Sequence, residues 1–160
     1  MQQFIFECSL WLDRPREEVF DFFADALNLQ EITPPWVHFR VLTPPPIQMR
    51  VGALIDYRIQ VHGVPLRWQT KITQWNPPVS FEDVQLRGPY KLWEHLHTFE
   101  EDRGGTLCRD RVRYMPVGGR LTHWLFVRRD VERIFQHRRR ALLKRFPSLT
   151  PSTSPAQVSS

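Results

Sequence analysis

Asp83, His95, His97 and Asp110 are the residues of this sequence whose types and spacing suit chemistry. An imidazole held by a carboxylate keeps one tautomer and one orientation, which is how a general base is poised. Deprotonation beside a carbonyl, with Arg138 or Tyr114 steadying the enolate, is the reaction that such a base would serve, and His95, His97 and Asp110 are the candidate catalytic groups. His95-x-His97 with two acids also supplies ligand types for a transition metal, but the pattern is a weak signal by itself, and neither a metal nor another cofactor is expected. The plainest alternative is structural, with aspartates and histidines satisfying one another inside a filled core. No nucleophile elbow, phosphate loop or nucleotide fingerprint directs the chemistry elsewhere.

These residues act together only if neighbouring strands bring them to one face. Gly88-Pro89 opens a turn, and the alternation that follows sets Trp93, His95, His97 and Phe99 on one side, with Leu92, Glu94, Leu96 and Thr98 on the other. The loop Glu101-Asp102-Arg103-Gly104-Gly105 predicts a hairpin with Phe99 opposite Cys108, His97 opposite Asp110, His95 opposite Val112 and Trp93 opposite Tyr114. Pairing back across Arg87-Gly88-Pro89 brings Phe81, Asp83 and Gln85 beside His97, His95 and Trp93. A slip of one residue would turn the apolar set to solvent, which disfavours it. The predicted inward polar set is Asp83, Gln85, His95, His97, Asp110 and Tyr114, walled by Trp36, Tyr57, Trp68, Thr70 and Trp93.

The rest of the chain supplies the frame. Gln2 to Leu12 alternates as a strand, with Phe4, Phe6, Cys8, Leu10 and Leu12 on one face. Asp13-Arg14-Pro15 starts a short helix that runs to Ala24, and a second, about Ala26 to Ile32, stops at Thr33-Pro34-Pro35-Trp36. Strands follow at His38 to Thr43, Ala53 to Val61 and Leu66 to Trp75. The hairpin His62-Gly63-Val64-Pro65 sets Tyr57 near Thr70 and Ile59 near Trp68. Phe81 to Leu86 leads into the histidine strand. From Leu121 to Phe146 the period becomes helical, with Trp124, Val127, Val131, Phe135, Arg138 and Leu142 on one stripe. Arg138 is expected to snorkel along the helix to water, the alternative being a reach to the acids of the sheet. The proline-containing stretch from Pro147 to Ser160 reads as a disordered tail.

Composition bounds the setting. The 160 residues, 41% hydrophobic and 12% aromatic, suit one domain with a real core, residues 1–146. No apolar run approaches the roughly 18 residues of a membrane span, and the N-terminus lacks the basic and long apolar regions of a signal peptide. A cytoplasmic protein is expected. Cys8 and Cys108 fit no zinc or disulfide spacing and are expected as buried thiols. The formal charge of +5 is concentrated in Arg128, Arg129, Arg133, Arg138, Arg139, Arg140, Lys144 and Arg145 of the last helix. No nucleic-acid motif accompanies it, so nucleic acid is not an expected partner. A solvated face is the ordinary reading, with transient membrane-surface contact left open.

The element order is one strand, two short helices, six strands and one long amphipathic helix. That order predicts an α+β fold in which a curved antiparallel seven-stranded sheet wraps around the last helix. The space between sheet and helix is the default binding site. With DRPREEVFDFF at the first helix, GVPLRWQTKI in the middle, GPYKLWEHLHTFE and the later D-x-V-x-Y of Asp110, Val112 and Tyr114, the chain resembles the START-like, or Bet v 1-like, superfamily. Within it the chain looks most like the bacterial SRPBCC or polyketide cyclase/dehydrase-like ligand-binding proteins. The resemblance implies a helix-grip fold and a cavity for a hydrophobic or amphipathic small molecule such as a lipid, quinone or aromatic polyketide. A carrier or sensor is the expectation, and a cyclase/dehydratase-type lyase is the alternative from another class.

Overall fold

The first strand, β1 (Phe4–Leu12), pairs with the last, β7 (Gly105–Pro116), Phe4 opposite Tyr114 and Leu12 opposite Thr106, in a computed structural model that describes residues 2–149. Between them lie β2 (Arg40–Val41), β3 (Leu54–Val61), β4 (Val64–Asn76), β5 (Ser80–Arg87) and β6 (Tyr90–Asp102). All pairings are antiparallel, in the order β1-β7-β6-β5-β4-β3-β2, an open sheet of seven strands. After β1 come α1 (Arg16–Ala24), a 3-10 turn at Ala26–Asn28 whose Leu27 N–H meets the Asp25 carboxylate, and α2 (Leu29–Ile32). The C-terminal helical run is α3 (Gly119–Thr122), a π-turn at His123–Val127, and α4 (Arg128–Arg145).

The predicted β6–β7 register holds at each named pair, and so do Phe81 opposite His97 and Asp83 opposite His95. The β3–β4 hairpin differs by two residues. His62 and Gly63, at φ 48° and 81°, form a two-residue turn of the primed kind, so Val61 faces Val64, Tyr57 faces Trp68 and Ile55 faces Thr70. Pro65 therefore belongs to the strand. It lies beyond the point where β5 pairs with β4, where the sheet is open and proline is tolerated. An even shift keeps every side chain on its face. The strand expected at His38 to Thr43 contracts to two residues. His38 leaves a 3-10 turn in the left-handed region, φ 46°, and the Thr43 hydroxyl rather than its backbone accepts the Asp56 N–H at 2.8 Å.

The apolar faces of sheet and helices meet in a core of Leu10, Leu12, Phe20, Phe81, Phe99 and Leu142, continued by Val112, Val131 and Phe135. Each such side chain contributes about 1.5–3 kcal/mol on burial. The helix stripe holds at Val131, Phe135, Arg138 and Leu142, but not at its start. Trp124 is 67% exposed and its neighbour His123 only 7%. The π-turn widens the helix there and sets His123, four residues before Val127, under the stripe in place of Trp124. The tail expected from Pro147 onward begins tethered: Arg14 donates to the Pro147 carbonyl at 2.8 Å, and the Leu149 N–H to Asp13 at 2.7 Å. Its remainder, residues 150–160, lies outside the described residues.

Candidate functional site

Strand alternation and register gather the polar residues. On β6, His95 and His97 point inward one pleat apart, their rings 3.8 Å from centre to centre. Asp110 reaches them from β7 and Asp83 from β5. Asp110 Oδ1 lies 2.8 Å from His95 Nε2 and 3.1 Å from His97 Nδ1, the second contact being out of line for a full hydrogen bond. Asp83 Oδ2 lies 3.2 Å from His97 Nε2 and 4.0 Å from His95 Nδ1. Each imidazole thus stands between two carboxylates. Thr70 of β4 donates to the other Asp83 oxygen at 3.2 Å, and Phe81 stacks on His97 at 4.2 Å.

Arg138 completes the group from α4. The snorkelling expectation fails: the residue is 9% exposed, its Nη2 lies 3.6 Å from Asp110 Oδ1, and its guanidinium lies over Phe23 at 5.0 Å. Phe23 and Phe135 flank the guanidinium, and the Asp110 charge is its nearest compensation.

The charges follow from these contacts. Burial pushes the Asp110 carboxyl up, but Arg138 and the contacts of His95 and His97 outweigh it and hold Asp110 well below the usual carboxylate range. Asp83 is likewise raised by burial and brought below its ordinary value by its bond to His97 and by the charge of the two histidines. The histidines diverge. Burial and the neighbouring His97 push His95 down, whereas on His97 the two carboxylates overcome burial and push it up. With the proton on His97, two carboxylates face one imidazolium and one guanidinium, and the group is neutral overall. The thiols stay protonated: burial first, and then Asp110, push Cys8 and Cys108 up to about 12.

This polar wall closes one part of a cavity of about 510 Å³ between the sheet, α2 and α4, within the range typical of small-molecule sites. Asp83, His95, His97, Thr70 and Arg138 face it, together with Tyr57, Trp68, Trp93 and Trp36. His95 Nδ1, too far from Asp83 for a hydrogen bond, is the ring nitrogen left over for a guest. Tyr57, raised by burial and then by Asp83, is a phenol. Asp110 stands behind the histidines, toward a smaller cavity of about 250 Å³. Trp36 marks the rim, half exposed beneath the Arg133 guanidinium at 5.3 Å.

Besides Asp110, two predicted members do not line the cavity. Gln85 bonds both backbone groups of Tyr90, at 2.7 and 3.3 Å, and so closes its own hairpin. Tyr114 turns to His123 at 3.0 Å. Sequence reasoning misses Tyr90 and Phe23, which line the cavity, and the hydrogen-bonded pair of His62 and Asp130 at its rim, 2.7 Å long. The aromatic pair stands in segments that read as turn and core. Nothing local in the sequence announces the rim pair, whose members belong to a hairpin tip and a helix start. The arginine-rich helix is partly engaged: Arg128 pairs with Glu132, Arg145 with Glu31, and Arg139 donates to the Ser9 carbonyl. No helix of the described residues is long and apolar enough to cross a membrane.

Known proteins share this architecture. No curated protein matches the sequence. Among solved structures, the Zhui aromatase/cyclase of Streptomyces sp. R1128 superposes with a TM-score of 0.70 at 15% identity, over 90% of this chain and 93% of that one. Protein Ms6760 of Mycobacterium smegmatis gives 0.64 at 17% identity, over 86% and 87%. The major latex-like protein 151 of Panax ginseng gives 0.64 at 8% identity, over 91% and 98%. At such identities these likenesses establish the fold, the Bet v 1-like helix grip. The sequence itself matches a family model over residues 12–146, and the chain is a member of the family described as polyketide cyclase / dehydrase and lipid transport.

Proposed function

We propose that this protein is a cytoplasmic carrier or sensor that binds one hydrophobic or amphipathic small molecule between the sheet and α4. The observation that carries this reading is the cavity itself, about 510 Å³ with aromatic sides and one charged wall. Apolar and aromatic area gives the affinity, and a few fixed polar groups orient the guest. Trp68, Trp93 and Tyr57 take the apolar body. Thr70, His95 and Arg138 meet a polar end, and Trp36 stands at the entrance.

Native mass spectrometry of the freshly purified protein, followed by denaturing extraction, tests this directly. A co-purifying lipid, quinone or aromatic compound is the expected result. Palmitate and 1-hydroxy-2-naphthoate then serve as probes in a tryptophan-fluorescence titration. Saturable binding of at least one at a single site supports the reading, and a protein that takes up neither and carries nothing overturns it.

One observation favours a second reading. His95, held at Nε2 by Asp110 and lowered by burial, presents its unoccupied Nδ1 on the cavity side. That is the arrangement of a general base, suited to a cyclase or dehydratase. Incubation of the extracted compound with the protein decides between them. Loss of one water from it, abolished in His95→Gln while binding persists, makes the protein an enzyme; an unchanged compound leaves it a carrier.

A further inference from the structure

We infer that Asp83, His95 and His97 form a binding site for a first-row divalent cation, Zn²⁺ above all, with Asp110 as the carboxylate that backs both imidazoles.

The donors converge. One ligand atom from each of the three residues lies within 4.8 Å of the other two. Two ligands on one tetrahedral zinc, each roughly 2.0–2.1 Å from it, stand roughly 3.3 Å apart. His97 Nε2 and Asp83 Oδ2 are already 3.2 Å apart. His95 Nδ1 stands 4.0 Å from the same oxygen.

Behind the rings stands a shared carboxylate. A metal-bound histidine gives its other ring N–H to a carboxylate or carbonyl, which fixes the tautomer. His95 turns Nε2 and His97 turns Nδ1 to the same oxygen, Asp110 Oδ1, at 2.8 and 3.1 Å. The His97 contact is off line as it stands, so Nδ1 is the buried ring nitrogen still short of a full hydrogen bond. The nitrogens left over, His95 Nδ1 and His97 Nε2, are the two that face Asp83. A pair of acids serving only to satisfy two histidines needs one contact each. Here the front two nitrogens face one carboxylate and the back two face the other. Thr70 holds Asp83 Oδ1 and so leaves Oδ2 directed at the rings.

Charge and access agree with the geometry. With neutral imidazoles, the two aspartates and Arg138 leave one net negative charge in a buried place, which a cation offsets. Asp83 and both histidines line the cavity, so three protein ligands leave a coordination position open toward it, the pattern of sites that take an exogenous ligand. That position suits an oxygen donor of the guest, such as a carboxylate, enol or phenol.

The test uses the full chain, stripped with a chelator and dialysed. Titration with Co²⁺ should give a visible absorption band that saturates at one equivalent and is displaced by Zn²⁺. Ring-nitrogen NMR of the wild-type protein needs no variant: one equivalent of Zn²⁺ should move His95 and His97, while His38, His62, His123 and His137 stay in place. Asp110→Asn should weaken Zn²⁺ about 10- to 100-fold, and Thr70→Val, which leaves every ligand in place, less than that. The inference is overturned if His95 and His97 do not respond to Zn²⁺, if the response is confined to the other histidines, or if folded His97→Gln binds Zn²⁺ as tightly as the wild type. Uptake of palmitate or naphthoate by the stripped protein is scored separately, so failure of the ion site and failure of the cavity reading remain distinct results.

Discussion

Two buried histidines of this molecule have opposite fates. His123 stacks on Phe4 with ring centres 3.5 Å apart and meets the Tyr114 hydroxyl at 3.0 Å. His97 stacks on Phe81 at 4.2 Å and meets two carboxylates. The aromatic packing is alike. Burial, with a smaller push from Arg128, lowers His123, whereas His97 is raised in spite of burial. Ring stacking therefore positions an imidazole, and the hydrogen-bonding partner decides its charge. In this molecule the phenol makes a neutral corner and the carboxylates make a charged one.

The sharpest way to break this contrast is to remove a carboxylate. Asp110→Asn leaves Arg138 and two imidazoles short of a buried counter-charge and should cost about 3–5 kcal/mol, read from the denaturant midpoint. The corresponding change at the neutral corner, Tyr114→Phe, removes one hydrogen bond and should cost about 1 kcal/mol. Equal losses in the two variants would mean that the acids are no more than ordinary core polar groups.

Acidity sharpens the contrast without mutation. From the ordinary value of 6.5, His97 is raised by folding and His123 is lowered. His97 binds more protons folded than unfolded, so its stabilisation is complete below pH 6.5 and is lost as pH rises through the raised value. His123 binds fewer, so its contribution is complete above pH 6.5 and is lost as pH falls through the lowered value. NMR titration of the metal-free protein should find His97 charged at a pH where His123 is already neutral, and the reverse order would refute the contrast. The smallest effect concerns the next residue in the chain. Trp124→Ser, on the exposed side of the π-turn, should change the melting stability by no more than about 0.5 kcal/mol.

The carboxylate corner is legible in the amino-acid sequence because alternation and turn length determine which residues of a hairpin face each other. His97 with Asp110 follows from the short Gly-ending loop alone. Long-range choices are not legible in the same way. Arg138 has water and an acid as rival destinations, and only the folded arrangement sets Asp110 and Phe23 beside it. Trp124 and His123 are equally near the helical stripe, and a single widened turn decides between them. Gln85 has the right face, but its amide is long enough to serve the backbone of its own hairpin. Pro65 reads as punctuation, yet a proline at an unpaired edge continues a strand.

The order of synthesis gives the place of Arg138 a further meaning. β5, β6 and β7 are joined by short hairpins, so Asp83, both histidines and Asp110 can assemble as soon as Pro116 has emerged. The guanidinium that balances them arrives later, on the helix that also covers the apolar face. Before the guanidinium arrives, the two carboxylates outnumber the one imidazolium of His97, so the nascent sheet carries a net negative charge on its apolar face, and such charge discourages self-association. A chain ending before Gly119 should then scatter less light than the same fragment with Asp83→Ala and Asp110→Ala. On this view the acids guard the unfinished protein first and serve the finished one afterwards.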